Sequence, residues 1–178
     1  FTGLRDFEFL VNTGQFDRFL LRPRGTLFQV IASNSDWFAA IGHGALGIFL
    51  FVFSASKVHI VWNFMNVMYC ISSIVGGVFI QAAIFLFAAS LSFFFIRTGS
   101  IRELLYWNTR RFANYPITIF PKFVKILMTY IIPFAFVNYY PASYLLKKDN
   151  ITLLDNIFRY ITPIIGILMY VFAYLFWS

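Results

Sequence analysis

Two stretches of this chain hold residues whose types and spacing could carry chemistry. Glu103, Trp107, Arg110, Arg111 and Asn114 recur at i, i+4, i+7, i+8 and i+11, which on a helix is one polar stripe. Ile101, Leu104, Leu105, Phe112 and Ala113 occupy much of the rest of that helix. The stripe has two readings. It is a surface helix at the cytoplasmic interface, or a crossing helix whose polar side faces a water-filled pathway, because charge facing lipid is costly. The other stretch runs from Asn12 to Arg24 and sets Asp17, Arg18, Arg22 and Arg24 among Phe16, Phe19, Leu20 and Leu21. Phe16, Phe19 and Leu20 fall at i, i+3 and i+4 and share one face of a short helix, with Asp17 and Arg18 turned away. Gly14 opens the turn before it, and Pro23 discourages Leu21 and Arg22 from continuing helically. The segment reads as a short helix outside the hydrocarbon, with an apolar face for a cytoplasmic partner or for the membrane surface.

Catalytic signatures are missing from the sequence. There is no G-x-x-x-x-G-K-[ST] loop to hold nucleotide phosphates, and no Gly-x-Ser-x-Gly elbow. The two histidines, His43 and His59, are too far apart for an H-E-x-x-H zinc site. A single cysteine, Cys70, supplies neither a disulfide framework nor a cysteine-rich metal site. No catalytic residue and no metal ligand is assigned. His43, between Gly42 and Gly44, fits helix–helix packing better than proton handling.

The elements that position these residues are written for lipid. The 178 residues are 60% hydrophobic and 22% aromatic with only 12% charged, too little polar surface for a soluble domain. The expected fold class is therefore all-α, a polytopic helical membrane protein. Residues 37–56 carry no formal charge and are long enough to cross a bilayer. Residues 58–71 have enough polar and aromatic character to lie along the outer surface, and 72–96 make the second crossing, with Gly76, Gly77 and later small residues allowing close packing. The last span is 159–177. Between them, 100–120 is either a crossing or an interfacial helix. Residues 122–146, punctuated by Pro121, Pro133 and Pro141, are then a re-entrant outer hairpin or the crossing itself. Placing 12–24 inside puts Arg5, Arg18, Arg22, Arg24, Arg97 and Arg102 in the cytoplasm and leaves Lys57, Lys147, Lys148 and Arg159 outside, as the positive-inside rule favours. This accounts for the formal net charge of +7 without nucleic acid. An interfacial 100–120 adds Arg110, Arg111, Lys122 and Lys125 to the inside.

Three segments resemble the ABC-2-type exporter permeases. Gly14-Gln15-Phe16-Asp17-Arg18-Phe19-Leu20-Leu21-Arg22-Pro23 is similar to the segment before that family's third span. Tyr115-Pro116-Ile117-Thr118-Ile119-Phe120-Pro121 looks like its second signature. Ile132-Pro133-Phe134-Ala135-Phe136 with Tyr139-Tyr140-Pro141-Ala142 looks like its third. The sequence departs from the pattern at Arg24-Gly25, where a less basic pair is expected. The resemblance implies the ABC-2-type permease fold, with about four crossing helices here, a cytoplasmic coupling helix and a re-entrant outer hairpin. It also implies that this is part of a longer protein with two upstream spans. It makes Gly14, Phe16, Asp17, Arg18, Phe19, Leu20, Arg22 and Pro23 an ATPase-coupling segment. It favours 100–120 as a crossing, with Glu103, Trp107, Arg110, Arg111 and Asn114 on the translocation path or at a dimer interface.

The resemblance further implies a second permease chain and separate ATP-binding subunits that carry ATP and magnesium, with no cofactor in this chain. The expected function is outward movement of an amphipathic drug, peptide or lipid-like substrate across a bacterial inner membrane. The alternatives are a membrane-embedded enzyme or binding protein for lipid-linked substrates, with Glu103 and the arginines on a phosphate-bearing head group, or a purely structural membrane partner.

Overall fold

The computed structural model describes residues 2–33, 37–58, 60–95, 99–108, 111, 115, 117–146 and 153–177. His59, Arg97, Arg110, Asn114, Pro116, Lys147, Lys148 and Asp149 lie outside them. The described residues are nearly all helical, with no strand. They divide into two compact units, Phe1–Asn63 and Phe64–Ser178.

In the first unit four short helices precede a long one: α1 (Thr2–Arg5), α2 (Phe7–Asn12), α3 (Asp17–Leu20), α4 (Thr26–Ser33) and α5 (Trp37–Lys57). Thr13-Gly14 and Pro23-Arg24-Gly25 interrupt the chain where helix formers give way to turn formers. Leu4, Phe7 and Val30 form the core of the short helices, Phe7 and Val30 having no exposed surface. Gly3 is required there, because a Cβ would run into the Val30 carbonyl. α5 has 21 residues, roughly 30 Å of helix and enough to cross the hydrocarbon. His43 Nδ1 donates within this helix, to the Ala39 carbonyl at 2.7 Å.

The second unit is built on α6 (Phe64–Ser90), which runs on through a 3-10 turn to Phe93, and on α10 (Leu153–Trp177). The helix opens at Phe64, so Asn66, Tyr69 and Cys70 belong to it rather than to a separate surface segment. Apolar residues on every side let the helical period continue, and the sequence offers no proline or glycine to stop it there. Small residues bring the two helices together: a Cβ on Gly76 would meet Pro163 Cα at 2.7 Å, and one on Gly166 would run into the Gly76 backbone. Phe79–Tyr170, Phe87–Phe176 and Phe93–Trp177 ring pairs, with centroids 5.1–5.5 Å apart, continue the contact along both helices.

Between α6 and α10 lie shorter pieces: α7 (Gly99–Arg102) continuing as a π turn to Asn108, α8 (Lys122–Ile126) continuing as a π turn to Ile131, and α9 (Tyr139–Leu145). Lys122–Ile131 and Phe134–Leu145 are bent by 80° against each other. Pro133 makes the bend. It has no N–H to give, and it forces Ile132 out of the helical region to φ −122°, ψ 83°. Pro121 caps α8 from an extended conformation. Pro141 sits in the first turn of α9, where an N–H has no helical partner anyway. The bent pair rests on Phe158 of α10, whose ring lies 5.5 Å from Phe136 and 5.4 Å from Tyr140. Among the described residues three helices are long and apolar enough to cross a membrane, Phe38–Lys57, Phe64–Phe93 and Ile157–Trp177, and the bent pair would count as a fourth if it is one broken span.

Candidate coupling site and polar stripe

The segment around α3 is shaped by one glycine and one glutamine. Gly14 adopts φ +69°, a left-handed conformation that side-chain-bearing residues resist. It turns the chain so that the Phe16 N–H donates to the Leu10 carbonyl at 3.0 Å and the Asp17 N–H to the Gly14 carbonyl at 3.4 Å. The Phe16 ring then stands edge-on to Phe7, with centroids 5.1 Å apart, and lies 6.4 Å from Phe19. Phe16 packs inward against Phe7 rather than being presented to a partner. The exposed apolar side chains of the segment include Leu20, at 59%, and Leu21, at 86%, flanked by exposed Asp17 and Arg18. The shift arises because the neighbouring α2 offers Phe7, and two aromatic rings gain more from each other than from water.

Gln29 on α4 holds the other end. Its Nε2 donates to the Phe19 carbonyl at 3.2 Å and to the Arg24 carbonyl at 2.7 Å, so one side chain ties the end of α3 and the following loop to α4. It is only 7% exposed, and its Oε1 has no partner among the described residues. Sequence reasoning missed this residue. Its signal was a lone polar group in the otherwise apolar run Leu27–Ala32. A pocket of about 410 Å³ opens beside the clamp, lined by Phe19, Arg22, Pro23, Arg24, Phe28 and Gln29 and reaching Ala32 and Ser33.

The polar stripe is only partly described. Glu103, Trp107 and Arg111 are exposed, whereas Arg110 and Asn114 lie outside the described residues. Glu103–Asn108 is a π turn, whose wider i→i+5 pairing departs from the α-helical period behind the single-face expectation. Leu105 in this turn helps line an apolar pocket of about 440 Å³ with Ile84, Phe87, Ile132, Met169 and Phe172.

A polar cluster that the sequence did not announce ties α9 to α10. Arg159, counted from sequence among the outer basic residues, is only 8% exposed, and its Nε donates to Ser143 Oγ of α9 at 3.1 Å. Pro163, inside α10, cannot donate to the carbonyl four residues earlier, which is that of Arg159. Tyr69 of α6 replaces the missing donor: its hydroxyl donates to the Arg159 carbonyl at 2.6 Å. In a bilayer a backbone carbonyl freed in this way must find an internal partner.

Residues 2–178 match a family model described as ABC-2 family transporter protein. No curated protein and no solved structure matches the chain. A helical membrane chain with these bent and close-packed elements, matched over nearly its whole length, belongs to the ABC-2 family of transporter proteins.

Proposed function

We propose that this chain is an exporter permease whose α3 is the element pushed by its ATP-binding partner. The family match supports partnership with ATP-binding subunits, and ATP hydrolysis is proposed to take place there. The observation that carries the reading is the Leu20–Leu21 pair, apolar and exposed on a turn that Gly14, Phe16 and Gln29 hold in a fixed shape. Exposed adjacent leucines flanked by Asp17 and Arg18 suit a groove with an apolar floor and a charged rim. Movement of the partner reaches the spans through Gln29 and α4, because a clamped turn moves as a unit. Arg22 and Pro23 follow directly in the chain. Glu103, Trp107 and Arg111 are proposed to face the translocation path or a second permease chain; Arg110 and Asn114 belong to the same sequence stripe. The apolar pocket around Phe87 and Phe172 supports a substrate with an apolar part. The proposed setting is a bacterial inner membrane, with outward transport by a dimer.

The test replaces Leu20 and Leu21 together by Asp in the full-length protein. Phe16 is left alone because it packs on Phe7. The expected result is a permease that purifies normally but holds its ATP-binding subunit roughly a thousandfold more weakly, since two buried interface anchors at about 2 kcal/mol each sum to about 4 kcal/mol. An unchanged complex with normal transport-coupled ATP hydrolysis would remove α3 from the interface.

A further inference from the structure

The pocket beside the Gln29 clamp has a chemistry of its own. Arg22 and Arg24 both line it, and neither guanidinium has a hydrogen bond or ion pair among the described residues. Asp17, the acidic residue of α3, is not among its lining residues. The rest of the wall is largely apolar: Phe19, Pro23, Phe28 and Ala32, with Phe28 63% exposed. The clamp fixes the shape, because Gln29 bonds the carbonyls of Phe19 on one side and Arg24 on the other. Ser33, the last residue of α4, also lines the pocket. Only Asn34, Ser35 and Asp36 separate it in sequence from α5, which is apolar and long enough to span.

We propose that this pocket holds the phosphate of an anionic phospholipid of the inner leaflet, so that the coupling turn is seated partly on lipid. The inference rests on the cytoplasmic placement of α3 given above. Two guanidinium groups with no partner among the described residues offer forked donors that match phosphate oxygens, and basic groups beside a span attract anionic headgroups. The apolar wall distinguishes a lipid from free phosphate: Phe28 and Ala32 give the glycerol and upper acyl chain a surface that an inorganic ion would not use. Closeness in sequence to the span favours a lipid over an acidic peptide.

The full-length permease with its ATP-binding subunit is placed in nanodiscs of phosphatidylcholine and phosphatidylglycerol. Retained phosphatidylglycerol is then measured by mass spectrometry after a detergent wash. The wild type is expected to retain it. Arg22→Gln with Arg24→Gln should lower retention by roughly tenfold or more, as expected for two basic contacts at a charged surface. Arg22→Lys with Arg24→Lys should retain an intermediate amount, since charge is kept and the fork is lost. Lys122→Gln with Lys125→Gln, in the other unit, should change nothing. Equal retention by the Arg-to-Gln variant and the wild type overturns the proposal, as does equal loss in the Lys122/Lys125 variant, which would mean unspecific attraction. Loss of the ATP-binding subunit with lipid retention unchanged would assign the arginines to the protein interface instead and also overturns it. The lipid readout needs no bound ATPase, so a wild type that recruits none refutes the coupling reading alone and leaves the pocket tested.

Discussion

Replacing Tyr69 by Phe removes one oxygen and tests whether α6 repairs the helix that Pro163 interrupts. The ring packing should survive, because Tyr69 lies against Tyr144 with centroids 4.0 Å apart and a Phe ring fills the same space. The Arg159 carbonyl, which accepts the Tyr69 hydroxyl at 2.6 Å, loses that donor and cannot obtain one from Pro163. Leaving a buried acceptor unsatisfied costs about 1–3 kcal/mol. For a chain of this size each kcal/mol lowers the melting temperature by about 2–4 °C, so the variant should melt roughly 2–12 °C lower. Pro163→Ala restores an N–H in the helix and should make the same Tyr69 change nearly silent. The four proteins form a double-mutant cycle, read by thermal unfolding in detergent, with an expected coupling of about 1–3 kcal/mol. If Tyr69→Phe lowers the melting temperature equally with Pro163 in place and in the Pro163→Ala background, the hydroxyl is not replacing the missing helical donor, and the argument fails.

Two further outcomes follow from the packing. Gly76→Ala should destabilise the second unit by about 1–3 kcal/mol, as overpacking does, because its Cβ would meet the Pro163 and Thr162 backbone at 2.7 and 3.1 Å. Gly77→Ala meets only Val137 at 3.4 Å and beyond and should be tolerated; equal melting temperatures for the two would contradict the close approach of α6 and α10. Gln29→Leu should leave the carbonyls of Phe19 and Arg24 without their amide donor and loosen α3. Hydrogen exchange in residues 17–24 should then speed up by roughly tenfold, the equivalent of losing about one net hydrogen bond, and unchanged exchange would show that the turn stands without the clamp.

The sequence carried the fold class, because long uncharged runs and a 12% charged composition leave a chain few choices besides membrane helices. It also carried the breaks. Pro121, Pro133 and Pro141 act through their own missing N–H groups and fixed φ, so they mark α8, the bend and α9 without help from distant residues. Gly14 is similar, since a turn before Asp17 needs the left-handed conformation that glycine accepts. The ordered resemblance at 14–23, 115–121 and 132–142 pointed to the family that the match over residues 2–178 then showed.

What the sequence could not decide depends on which surfaces meet. Spacing placed Phe16, Phe19 and Leu20 on one outward face, yet Phe7 draws the Phe16 ring inward and leaves Leu20 and Leu21 exposed. Gln29 looked like a stray polar residue until the carbonyls of Phe19 and Arg24 came within reach of its amide. Arg159 read as an outer-surface charge, but Ser143 lies 16 positions away in the chain and Tyr69 lies 90. A helical period or a proline acts over a few residues and can be read in order along the chain. A hydrogen bond across 90 residues forms only once α6 and α10 have packed, which is why tertiary structure alone revealed that one helix completes the other.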